Sequence, residues 1–194
     1  MTRIEEVPEN TVNPIVRTAY AISKRQYGMV PTPLKLFARR PLLLEGYGAF
    51  EWAFGRAGKL DARVKALVQI KAAAIIGCEY CLDIGSFEGG ENGVTAEQVV
   101  ELPRYRDSEH FSEAEKVALD YAVAMTLTPV DVPDALFEQV RAHFDEDQIV
   151  ELTTAIALEN FRGRFNWALD ISPQGYAEGA VCATKESPPA AATA

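Results

Sequence analysis

Histidine is nearly absent from this chain, with two in 194 residues, and its three cysteines are too few for a secreted disulfide framework. A closed structural zinc site needs four ligands. Beyond Cys78 and Cys81 only Cys182, His110 and His143 remain, none in a second C-x-x-C or an H-x₃-H spacing, so no metal is expected. Positive charge is also short: 19 Lys and Arg stand against 28 Asp and Glu, for a net charge of −9. Lys24-Arg25 and Arg39-Arg40 are isolated pairs, and without a basic patch a nucleic-acid partner is excluded. No apolar run approaches the roughly 20 residues that span a bilayer. The opening MTRIEEVPEN has no signal-peptide core, so the expected setting is cytoplasmic, with no membrane partner. Sustained period-2 alternation rich in β-branched residues is missing too. The expected fold class is therefore all-α.

The most informative stretch is Leu60 to Gly90. Val64, Leu67, Val68, Ala72, Ile75 and Ile76 recur at helical spacing, with Asp61, Arg63, Lys65, Gln69 and Lys71 assigned to the opposite, solvated side. Gly77 interrupts the pattern immediately before Cys78-Glu79-Tyr80-Cys81, where a glycine allows one helix to end and another to begin. A second helix starting there places Cys78 and Cys81 on one face of its first turn. Its free N–H groups and dipole favour a thiolate. Glu79 and Asp83 oppose that effect, because nearby negative charge raises a thiol pKa.

Elsewhere the chain announces helix boundaries. Residues 1–12 read as an extended, weakly ordered N-terminal arm, and the helical domain covers 13–171. Asn13-Pro14 starts a helix that Gly28 ends; a short one covers Leu34 to Ala38; Pro41 opens another, closed by Gly55 and Gly58. Thr95 with Gln98, and Ser112 with Glu115, form capping boxes. Pro133-Asp134 starts a helix ending at His143, a partner for the helix C-terminus. Asp145 with Gln148 caps the last helix, in which Phe161 and Trp167 are expected in the core. Its polar insertions, Glu159-Asn160 and Arg164-Phe165-Asn166, read as an internal ion pair or a subunit contact. Short loops favour antiparallel packing. From Ser172 periodicity is lost, and 172–194 is a tail whose end has a disordered composition. Cys182 lies in it as a loop thiol.

For Cys78 and Cys81 the alternatives are a structural metal site, two inert buried thiols, a thioredoxin-like motif, for which the βαβ context is missing, and a helical dithiol redox centre. In the last, one thiolate attacks an oxidant and the other closes a disulfide on the sulfenic acid.

The run L-D-A-R-V-K-A-L-V…G-C-E-Y-C-L-D-I-G resembles the carboxymuconolactone decarboxylase and alkyl hydroperoxidase D superfamily. The likeness is strongest over Leu60 to Ser86. It extends more loosely from Pro31 to Ile171 through P-x-P-L-K-L-F-A-R-R-P-L-L-L, F-S-E-A-E-K-V-A-L-D-Y-A and A-L-E-N-F-R-G-R-F-N-W-A-L. The resemblance implies an alkyl hydroperoxidase D-like bundle that works as a homo-oligomer. Its implied activity is a thiol-dependent peroxidase for hydrogen peroxide or small organic hydroperoxides, recharged by an external dithiol and needing no cofactor. Cys81 would attack and Cys78 resolve. The hydroperoxidase pattern of a Glu, eleven residues, C-x-x-C, three residues and a His falls on Ala66, Cys78, Cys81 and Gly85, so the proton relay is missing. Substitute acid–base or pocket groups are Tyr80, Glu79 and Asp83, with Glu88 and Glu159 as further carboxylates. A decarboxylase role fares worse, since only Arg63, Arg162, Arg164 and two histidines could meet a polycarboxylate substrate. The alternative function is a non-redox lyase or ligand-binding member, or an interaction protein that senses oxidation.

Overall fold

The structure, a computed structural model, describes residues 2–186. Its helices begin where side chains can cap them. Helix α1 (Pro14–Tyr27) starts behind Asn13, whose Oδ1 accepts the Val16 N–H at 2.9 Å. It stops at Gly28, where φ is +74°, a conformation that glycine adopts without a Cβ clash. Helices α2 (Thr32–Phe37) and α3 (Pro41–Phe54) follow. Asp61 caps α4 (Ala62–Ile76) by accepting from the N–H groups of Arg63 and Val64, and Gly77 ends it at φ +79°. Helix α5 is Glu79–Glu91. Reciprocal capping boxes open α6 (Ala96–Glu101), α7 (Glu113–Thr126) and α9 (Glu146–Ala168), and α8 is Asp134–His143. A 3₁₀ segment, Leu102–Asp107, joins α6 to α7 without a periodic signal in the sequence. The described residues contain no strand.

Helix α4 is the axis of the bundle and packs against α5, α7 and α9. It is buried nearly all round, from Val64 through Leu67, Val68 and Ile70 to Ala74. That corrects the placement of Lys71 on a solvated face: its Nζ is buried, bound to both carboxylate oxygens of Glu186 at 2.7 Å and lying over the Tyr105 ring. Burial lowers its pKa, and the bonded Glu186 resists that shift.

Two sets of contacts fix the register around the cysteines. Helices α4 and α9 run parallel: Leu60 N–H and Lys65 meet Glu151 near their starts, and Gly163 faces Ile76 near their ends. A Cβ on Gly163 would lie 2.8 Å from Ile76 Cδ1, so any larger residue there would displace the Ile76 side chain. Helix α5 folds back on α4, and the Ile70 side chain fills the space beside Gly85 and Gly89.

The chain ends are tied to this body. Arg3 N–H donates to Leu169 O at 3.0 Å and Val7 N–H to Lys35 O at 3.2 Å, so the arm expected to be weakly ordered is docked on the helices at both points. Residues 172–186 carry no helix, yet they strap across α4 and α5 through bonds described below. The rest of the expected disordered tail, 187–194, lies outside the described residues.

The outer apolar positions depart from expectation. Phe161 is 47% exposed and Trp167 58%, because α9 turns Leu152, Ala155, Ile156 and Gly163 to the core instead. Leu42 and Leu43 on α3 are exposed as well. Together α3 and α9 line an apolar groove of about 960 Å³, with Phe50, Val150 and Phe161 among its walls.

Candidate active site

The site is built at the α4–α5 junction. Gly77 reverses the chain, and Cys78 takes the N-cap position of α5, its Sγ accepting the Cys81 N–H at 3.2 Å. Cys78 and Cys81 are joined as a disulfide with Cα atoms 5.2 Å apart, and both are buried. The unpaired N–H groups of the first turn therefore bear on Cys78, whose thiolate they would stabilise once the bond opens. Cys81 faces the last helix, where Asn166 Nδ2 donates to its Sγ at 3.3 Å.

Asn166 is the lowest rung of a polar ladder on α9. Glu159, Arg162 and Asn166 share one face of that helix by their spacing of three and four. Arg162 forms a two-point ion pair with Glu51 of α3, using Nε (2.8 Å to Oε1) and Nη2, and donates through Nη1 to Glu159 Oε2 at 3.3 Å. Burial works against the Arg162 charge, but its bonds to Glu51 outweigh that and hold it ionised. Glu159 is 5% exposed, and its Oε1 has no hydrogen-bond partner. Burial pushes its carboxyl up to about 8, more than Arg162 pulls it down. The internal ion pair is the one Arg162 forms with Glu51 across to α3, while Glu159, its proton held by burial, makes one long contact to Arg162.

A second polar string reaches the same cluster from the cysteines' own helix. Tyr80 lies edge-on to Tyr176 at 6.0 Å, Tyr176 edge-on to Tyr27 at 5.7 Å, and Tyr27 OH donates to Glu88 Oε1 at 2.6 Å. Burial raises the Glu88 carboxyl pKa, opposed by the Tyr27 hydroxyl and Arg162. Tyr80 is raised too, by burial first and then by Tyr176, and so remains a neutral donor.

The other carboxylates named from the sequence face elsewhere. Glu79 is exposed and paired with Lys185 at 3.1 Å. Asp83 is buried, but it accepts the backbone N–H groups of Gln174, Gly175 and Ala177 at 2.8, 2.8 and 2.9 Å. Both its oxygens are committed to the C-terminal strap, so it is an anchor and not a free base. The strap is held further by Ala183 N–H on Ser86 Oγ and Glu186 N–H on Ala74 O, each at 2.9 Å. Cys182 rides on it exposed, its thiol pushed up by burial and partly relieved by Ser86. Ala66 and Gly85 carry no polar side chain, and Gly85 is packed by Ile70. His110 is exposed, and His143 sits in the last turn of α8.

Sequence reasoning names Glu159, Glu88, Arg162 and Asn166 but does not bring them together, and it misses Glu51 and Tyr27. The signal available was the three-and-four spacing of polar residues on an otherwise apolar helix. Among the described residues no group of three or more His, Cys, Asp or Glu is arranged to hold a metal.

Residues 41–124 match the family model of the carboxymuconolactone decarboxylase family. The uncharacterized protein YnjA of Escherichia coli (strain K12) is 35% identical over 169 residues, 87% of this chain and 93% of its own. Among solved structures, the debrominase Bmp8 superposes with a TM-score of 0.81 at 19% identity, over 91% of this chain and 94% of that one. An alkylhydroperoxidase AhpD core protein from Ralstonia eutropha JMP134, described as peroxidase-related, gives 0.80 at 17%, over 89% and 92%. At these identities the last two establish the shared fold.

Proposed function

The chain belongs to the carboxymuconolactone decarboxylase family, and from that premise we propose that it is a dithiol oxidoreductase reducing hydrogen peroxide or a small organic hydroperoxide through Cys78 and Cys81. The observation that carries this reading is the setting of the two sulfurs. They lie within bonding reach at a helix N-terminus, and Cys81 is turned to the Asn166 amide and the polar ladder behind it. Two inert packing cysteines would have no use for a buried amide donor.

In the cycle, Cys81 attacks the peroxide and becomes the sulfenic acid, and Cys78 displaces the hydroxyl to give the disulfide. An external dithiol restores the pair. Opening is favoured when the leaving sulfur is Cys78, because the α5 N-terminus stabilises the thiolate that departs. Such a cycle suits the cytoplasm, where dithiol donors are reducing. The exposed apolar groove of α3 and α9 supports the further proposal that copies of this chain cover it in a homo-oligomer.

The test is single turnover. One equivalent of hydrogen peroxide or cumene hydroperoxide is added to reduced protein, and thiol loss and the crosslink are followed by mass spectrometry. Rapid loss of two thiols with a Cys78–Cys81 bond, abolished in Cys81→Ser, is expected. Thiols that persist as long as free cysteine would defeat the reading.

One observation favours a second reading. Ala66 and Gly85 remove the family's peroxidatic relay, which suits a member turned to another reaction. Bmp8, named as a debrominase, suggests a carbon–bromine bond as the acceptor for the same two electrons. Turnover of a bromopyrrole with the peroxide reaction absent would move the assignment there, and lyase turnover unaffected by Cys81→Ser would move it to a non-redox role.

A further inference from the structure

The cycle above sends an external thiolate to Cys81, yet Cys78 and Cys81 are only 2% and 5% exposed. The thiolate must come into line with the S–S bond on the side opposite the leaving sulfur, so access limits the step. Three elements meet at the cysteine corner, and one of them has to yield. Helix α4 holds the corner through Ala73 O, which accepts the Cys78 N–H at 3.1 Å. The strap is tied on either side of Cys78, by Glu186 N–H to Ala74 O at 2.9 Å and by Lys185 to Glu79 at 3.1 Å, and farther back by three N–H groups on Asp83. Opening either of these breaks several bonds.

The third element is the last turn of α9, which is the side that Cys81 faces. Two consecutive residues reach the corner from it. Asn166 Nδ2 donates to Cys81 Sγ at 3.3 Å. Trp167 lays its ring against Gly77, the residue bonded to Cys78: a Cβ built on Gly77 would lie 3.8 Å from Trp167 Cζ3. Gly77 is buried, whereas Trp167 is 58% exposed. The indole therefore covers the turn with one edge and meets water with the rest. An exposed side chain changes rotamer in picoseconds to nanoseconds, so this cover moves without disturbing the helices or the strap.

We propose that Trp167 is the gate of the dithiol: its indole shuts the α9 side of the Gly77–Cys78 turn, and its outward swing admits the thiol that reduces the disulfide. This rests on the dithiol reading above. With the gate open, one thiolate of the donor attacks Cys81 Sγ. A mixed disulfide forms, and the Cys78–Cys81 bond breaks with its electron pair on Cys78, at the head of α5. The donor's second thiolate then attacks the donor sulfur bound to Cys81, and Cys81 leaves as a thiolate. The donor departs as a disulfide, two electrons poorer, and its two protons pass to the new thiolates or to water. Trp167 enters none of these bonds. It sets the fraction of time in which they can form, and that fraction multiplies the forward and the reverse rate alike.

The experiment mixes oxidised protein with excess dithiothreitol and follows the appearance of thiols in wild type, Trp167→Ala and Trp167→Phe. The position of equilibrium in dithiothreitol redox buffers is measured for the same three proteins. An open state populated at about 10% makes Trp167→Ala about tenfold faster than wild type. Trp167→Phe, which keeps a smaller ring over Gly77, should fall between them, and all three should share one equilibrium constant. A merely structural role would not separate rate from equilibrium in this way. Trp167→Ala reduced at the wild-type rate overturns the gate and leaves the dithiol reading standing. A faster rate with a shifted equilibrium also overturns it, because the indole would then be stabilising one redox state. Were Trp167→Ala not to fold, the Trp167→Phe rate would decide alone, above wild type for a gate and equal to it otherwise. Wild-type thiols that ignore hydrogen peroxide after reduction overturn the dithiol reading and the gate with it.

Discussion

Asn166 and Cys81 are 85 positions apart, and the Asn166 amide donates to the Cys81 sulfur at 3.3 Å inside the bundle. The bond joins the last helix to the cysteine that the family resemblance names as attacker. A hydrogen bond to a charged acceptor is worth about 1.5–3 kcal/mol, and a neutral thiol gains less from it than a thiolate does.

Asn166→Ala is therefore expected to move the Cys81 thiol's midpoint in the reduced protein upward, because the thiolate loses a donor that the neutral thiol needs less. Alkylation of the reduced protein as a function of pH measures the midpoint directly. An unchanged midpoint would mean that the amide serves packing alone.

Asp83 anchors the strap by accepting three backbone N–H groups. Asp83→Ala should cost about 3 kcal/mol, less than three orphaned donors would imply, because the freed segment can reach water. Urea unfolding gives the loss. Hydrogen exchange at Gln174, Gly175 and Ala177 should accelerate in the same variant, and protection equal to wild type would contradict the anchoring role.

Glu159 makes stability depend on pH. Its folded pKa, about 8, lies above the ordinary value of 4.5, so between these limits the folded state keeps a proton that the unfolded chain has released. Stability from this group is full below about 4.5 and is lost as pH rises through about 8. A shift of that size corresponds to several kcal/mol. Denaturant midpoints across this window should fall in wild type and stay nearly level, from this group, in Glu159→Gln. Parallel slopes would show that the carboxyl is already ionised.

The exposed pair Leu42 and Leu43 bears on assembly. Sedimentation of the wild type is expected to give an oligomer, and Leu42→Asp with Leu43→Asp a smaller species that keeps its helical content. A monomeric wild type would refute the assembly proposal.

Helix boundaries were legible because their determinants lie within a few residues. Asn13, Asp61, Thr95, Ser112 and Asp145 each bond an N–H two or three positions ahead, and Gly28 and Gly77 adopt the left-handed conformation themselves. The cysteine pair was legible for the same reason, since its spacing and the preceding glycine place it on a helix start. Lys71 was misread because amphipathic reasoning assumes one solvated face, and α4 is enclosed by three helices and the strap. Phe161 and Trp167 were misread in the opposite sense, because a long helix at the edge of a bundle turns only part of its apolar surface inward.

Local chemistry thus determined the all-helical class, the caps and the dithiol at the head of α5. Which groups meet the dithiol was decided by tertiary packing. The lack of a side chain at Gly163 and Gly89 lets α9 and α5 close on α4 in one register, and that register brings Asn166 to Cys81. It equally directs Asp83 away to the strap. Periodicity specifies which face of a helix is buried, but the axial offset between two buried faces comes from side-chain interlocking across the whole bundle.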